Sequence, residues 1–146
     1  MRKIMTQTEI NNKKLLNAPS FEKADLEGMV TENLAEALTD LFQKKKTNAS
    51  RISGITGISR SYVSELQGFK RGHKKPGRNV LISICIAAKG NLEETNHVLK
   101  CARMKDLYSR DEADAIIIWA LSHGKDYYEI LELLSTNGYD NYLRGE

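Results

Sequence analysis

The amino-acid sequence predicts an all-α chain, and three observations carry that prediction. Only two of its 146 residues are proline and 7% are aromatic, with few of the alternating apolar–polar runs that mark half-buried strands. Apolar residues recur instead at spacings of three and four, the period of one helix face. Most segments with that spacing start at a capping residue and stop at a glycine or a cationic turn. With 40% apolar and 28% charged residues, a chain of this length buries a core without disulfide or metal staples.

Residues 1–28 read as a polar N-terminal helical arm, in which Pro19 and Ser20 separate a stretch near Thr8 to Asn17 from one beginning at Ser20. Thr31 is the expected N-cap of a helix over Asn33 to Lys46. Leu34, Leu38, Leu41 and Phe42 share one of its faces, and three lysines close it where the helix dipole favours cations. Asn48 caps a short helix with Ile52 and Ile55 inward. Gly57 supplies a turn that favours a left-handed residue, and Ser59 caps a second short helix, Arg60 to Gln67, with Tyr62, Val63 and Leu66 on one side.

After a basic stretch, Asn79 starts a strongly apolar helix through Ala88. Asn91 caps Leu92 to Ala102, Ser109 caps a helix over Asp111 to His123, and Asp126 caps Tyr127 to Asn137. Ile116, Ile117, Ile118 and Trp119 make the penultimate helix apolar all round, the pattern of a helix buried on every side. The chain thus divides into an arm (1–28), a central unit (29–90) and a C-terminal helical-hairpin extension (91–146).

A faint repeat with an offset of 35 residues runs through the second half. Leu81, Ile82, Ile84 and Ile86 fall on Ile116, Ile117, Trp119 and Leu121; Glu94, Val98, Leu99 and Met104 fall on Glu129, Leu133, Leu134 and Tyr139. Each unit reads as a helix, a tight turn, an acid-capped helix and a buried anchor, unable to bury its apolar face alone.

Net charge is only +3, but it is distributed unevenly. Residues 44–78 carry ten Lys/Arg and one acid, Glu65, a net +9, between flanks of −2 and −4. Such a block is the footprint of a polyanion-binding surface, although a solvated basic face would read the same.

The basic block coincides with a motif. A short positioning helix, a sharp turn and a second helix need small or apolar residues at fixed offsets, and Ile52, Ser53, Gly57, Ile58, Val63 and Leu66 occupy them. Gly68, Lys70, Arg71, Pro76 and Leu81 continue the pattern. Over roughly residues 31–88 the sequence resembles the lambda-repressor-like (Cro-type, Xre family) helix-turn-helix proteins. Two departures stand out: Ser53 occupies a position that is usually alanine, and the loop before Pro76 is longer than usual.

The resemblance implies a lambda-repressor-like helix-turn-helix bundle and a sequence-specific regulator of transcription, a repressor in expectation, that reads the major groove of double-stranded DNA with helix 60–67. With Val63 and Leu66 inward, Arg60, Ser61, Ser64 and Glu65 face outward as base readers; Arg60 suits guanine, and Glu65 suits cytosine or the orientation of Arg60. Ser50 and Arg51 at a helix start, with Lys70, Arg71, Lys74, Lys75 and Arg78, are the expected phosphate contacts, which position without specifying. Residues 91–146 resemble the helical extension of some Gram-positive regulators of this type. They are expected to dimerise the protein, to receive a signal from a protein partner, or to complete the core.

Other chemistries find little purchase. His73, His97 and His123 are 24 and 26 residues apart without ligands at metal spacing, so neither metal nor cofactor is expected. Cys85 and Cys101 read as reduced core thiols of a cytoplasmic protein. No catalytic pair and no phosphate loop occurs, so an enzyme is not expected. The apolar run Val80 to Ala88, broken only by Ser83, is too short for a bilayer, and no membrane partner is expected. Two alternatives remain open: a protein-interaction adaptor or antitoxin-like partner, and a non-specific nucleic-acid binder.

Overall fold

Residues 23–68 and 76–144 are described in the computed structural model, and they form seven α-helices, one 3-10 turn and no strand. Helix α1 spans Lys23–Lys44, α2 Ala49–Thr56, α3 Arg60–Gly68 and α4 Arg78–Ala87. Helices α5 (Leu92–Cys101), α6 (Glu112–Ser122) and α7 (Tyr127–Thr136) follow, and the turn is Tyr142–Arg144. The all-α expectation holds for these residues. The stretch predicted near Thr8 to Asn17, and Lys70, Arg71, Lys74 and Lys75, lie outside them.

Two helix starts differ from expectation. Helix α1 runs through Thr31 without a break, because its lone interior glycine, Gly28, costs only about 1 kcal/mol and no proline interrupts it. Arm and central unit therefore share this helix. Further along, Asp111 rather than Ser109 caps α6: its carboxylate accepts the Asp114 N–H at 3.0 Å, and an acid there also suits the helix dipole.

Helix α4 lies at the centre. Its residues Leu81 to Ala87 are all buried, and it is packed by α2, α5, α7 and the 3-10 turn. Helix α1 contributes Leu34, Leu38, Leu41 and Phe42 to the same core and lies against α3 and α5. Leu143 is fully buried, and its carbonyl accepts the Ser83 hydroxyl of α4.

The 35-residue repeat is a backbone repeat. Helices α5 and α7 begin and end 35 residues apart. Asn91 and Asp126 both cap through reciprocal boxes, with Glu94 and Glu129 reaching back to the cap N–H. Left-handed residues recur in register: Lys89 (φ 65°) with Gly124 (φ 67°), and Arg103 (φ 57°) with Gly138 (φ 89°). The turn bonds correspond too, Gly90 N–H to Cys85 O at 2.8 Å with Lys125 N–H to Ala120 O at 3.0 Å. Burial does not repeat everywhere. Ile82 and Ile117 are both fully buried, but Ile84 is buried while its counterpart Trp119 is 49% exposed. Helix α6 is therefore not buried on every side: Trp119 stacks on His123 with ring centroids 4.2 Å apart, and Ile116 and Ile118 are half-buried.

Candidate nucleic-acid interface

The segment from Asn48 to Gly68 is built by local chemistry. The Asn48 side chain accepts the Arg51 N–H at 2.9 Å and so closes the start of α2. Gly57 turns the chain at φ 78° and donates its N–H to Ser53 O at 2.9 Å. Ser59 Oγ then accepts the Tyr62 N–H at 3.2 Å and opens α3. Thr56, buried and not singled out from the sequence, bridges the corner. Its hydroxyl donates to Ile52 O at 2.8 Å and accepts the Ile58 N–H at 3.1 Å. A Thr one residue before the turn glycine was the available signal.

Ile52 and Val63 are fully buried and fix the roll of α2 and α3. That roll leaves Arg60, Ser61 and Ser64 exposed along α3. Glu65 is half-buried beside Tyr62, whose phenol is pushed up by burial and then by the Glu65 carboxylate. Ser50 and Arg51 are exposed at the start of α2. The Arg51 N–H is already held by Asn48, and its guanidinium donates to Lys46 O at 3.4 Å, so only part of its donor set faces outward.

The basic block is partly spent inside the protein. Lys44 and Lys45 each place Nζ 2.9 Å from the Glu94 carboxylate. Burial pushes that carboxyl up, but the Asn91 backbone N–H and the two ammonium groups outweigh it and hold Glu94 down at about 2. Arg78 departs from expectation altogether. It is bound to Asp114 at 2.8 Å and to two backbone carbonyls, because the chain from Lys105 to Asp114 wraps its fork, and most of its donors are turned inward.

No family model, curated protein or solved structure matches the chain.

Other features lie elsewhere. An open cleft of about 490 Å³ between α1 and α5 is lined by Asp40, Lys44, Glu93, His97 and Lys100, with no residue of α2 or α3. His97, contrary to expectation, does have a sulfur neighbour: Cys101 Sγ, one helical turn on, is 3.7 Å from its Nε2. Among the described residues no three His, Cys, Asp or Glu side chains gather as a metal site. Cys85 is a fully buried thiol whose pKa is raised by that burial. No described helix is long and apolar enough to cross a membrane.

Proposed function

We propose that this chain is a sequence-specific double-stranded DNA-binding regulator of the lambda-repressor-like (Xre) type, acting as a repressor and reading the major groove with α3. The observation that carries the reading is the corner Asn48–Gly68. A capped α2, a left-handed Gly57 and a buried Val63 leave Arg60, Ser61 and Ser64 outward on the first turns of a capped helix. That is the geometry a groove-reading helix requires. Arg60 is its leading base reader, with Ser61, Ser64 and Glu65 beside it. Ser50, Arg51 and the sequence cations Lys70, Arg71, Lys74 and Lys75 supply phosphate contacts.

Selection from random duplexes tests this directly. One enriched motif is expected, with Arg60→Ala losing roughly 1–3 kcal/mol at a single base position per half-site. Equal loss on all sequences would reduce Arg60 to a phosphate contact. No enriched motif would leave the non-specific binder or the protein adaptor.

A second copy belongs to the same reading, because one recognition helix covers only a half-site. Of the apolar residues of α7, Tyr127, Ile130 and Leu134 are consumed inside the chain. The exposed large apolar side chains of the α6–α7 hairpin are Trp119 on α6, 49% exposed, and Tyr128 on α7, 60% exposed, with Leu131 and Leu133 half-buried. Sedimentation of the full chain against Trp119→Ala tests that face. A dimer unaffected by the substitution places the contact elsewhere.

A further inference from the structure

Arg78 and Asp114 join the two halves of the molecule. The guanidinium has five N–H donors, and four of its donations have acceptors: Nε to Lys105 O at 2.9 Å, Nη1 to Asp114 Oδ1 at 3.1 Å, Nη2 to Asp114 Oδ2 at 2.8 Å and to Asp106 O at 2.9 Å. Asp114 is 1% exposed, also accepts the Tyr108 N–H at 2.9 Å, and has the Tyr142 hydroxyl 3.5 Å away. The acceptors that Arg78 itself binds, on Lys105, Asp106 and Asp114, lie 27 to 36 residues from it in sequence.

The pair's position matters more than its strength. A buried ion pair gains little over apolar packing, because desolvation consumes most of the attraction. A bidentate fork does, however, fix distance and orientation together. Arg78 is the first residue of α4 and stands three residues after Lys75. Helix α4 packs on α2, and α2 packs on α3. The side chain of α6 therefore sets where α4 begins, and through α2 it sets where α3 is presented.

We infer that Asp114 is a positioning residue for DNA recognition, making the α6–α7 hairpin an input to the affinity of α3 for its site. The inference rests on the DNA-binding reading above. Coupling between two sites is reciprocal, so whatever rearranges α6 changes DNA affinity, and DNA in turn steadies the clamp.

The test uses the full chain and the duplex selected by the wild-type protein. If the wild type selects none, the DNA-binding reading fails before any variant is made, and the inference falls with it. Given a duplex, Asp114→Asn keeps the shape of the side chain and removes its charge. Arg78→Lys keeps the charge and removes the fork. Both should bind roughly 5- to 150-fold more weakly at a temperature where circular dichroism shows them folded. Both should also discriminate less well between the selected site and single-base variants of it. Asp114→Asn makes the protein one charge more positive, and a merely electrostatic effect would tighten binding. Folded Asp114→Asn protein that binds as tightly as wild type, or more so, overturns the inference. If that variant does not fold, hydrogen exchange on the wild type decides. Saturating duplex should slow the Tyr108 and Asp114 amides, and unchanged exchange at both overturns the proposal.

Discussion

The hairpins α4–α5 and α6–α7 share caps, turns and left-handed residues in register, yet one is the centre of the molecule and the other is its edge. Helix α4 is covered by α2, α5, α7 and the 3-10 turn, so Leu81 and Ile84 are fully buried. Their counterparts on α6, Ile116 and Trp119, keep part of their surface. A backbone pattern of helix, turn and capped helix is therefore set locally, whereas the role of each copy is set by what lies against it. The same contrast holds for charge: Glu94 is met by Lys44 at the end of α1 and by Lys45 just beyond it, both at 2.9 Å, whereas Glu129 is paired with Lys125, just before α7, at 3.8 Å.

Paired substitutions would sharpen that comparison. The largest effects belong to the buried core, where Ile82→Ala and Ile117→Ala should each cost roughly 2–5 kcal/mol in chemical denaturation. At the next pair the hairpins should part. Ile84→Ala falls in the same range, while Trp119→Ala costs about 1 kcal/mol or less, because half of the ring already faces solvent. Equal losses at Ile84 and Trp119 would break the distinction between centre and edge.

Smaller effects sit in the turns. Gly124→Ala forces a side chain into φ 67° and should cost about 1 kcal/mol, whereas Lys89→Gly, at φ 65°, should gain a similar amount. Thermal unfolding of the two variants would show shifts of opposite sign.

The smallest effect is pH-dependent. Glu94 is held at about 2 against an ordinary value of 4.5, so it contributes stability above pH 4.5 that is lost as pH falls towards 2. Glu94→Gln should flatten the acid limb of the stability curve in that window and cost at most about 1 kcal/mol at neutral pH. An unchanged acid limb would mean that the lysines do not hold the carboxylate in solution.

What the sequence made legible is what neighbouring residues decide among themselves. Asn48, Asn91 and Asp126 were readable as caps because the groups they bind lie three residues on, and Gly57 because a left-handed turn favours glycine. The exposed row Arg60, Ser61 and Ser64 followed from the inward Val63 and Leu66. Distant partners were not legible. Arg78 looked like one more member of a basic run until Asp114, 36 residues away, closed on it. Lys44 and Lys45, where α1 ends, gave no sign of Glu94. Trp119 was misread for a different reason: an apolar stretch of helix has the same pattern whether it is buried or only partly covered.

The placement of Leu143 has a consequence for how the protein is made. Its carbonyl and the turn around it cover α4 at Ser83, sixty residues upstream. On the ribosome, α4, whose residues Leu81 to Ala87 are all buried in the finished fold, is made well before that cover has been translated. Once clear of the ribosome, nascent α4 must therefore wait with Leu81 to Ala87 incompletely shielded, and a pause late in synthesis prolongs that interval. Slow codons or a stalled message there should raise the aggregated fraction without altering the stability of the finished protein.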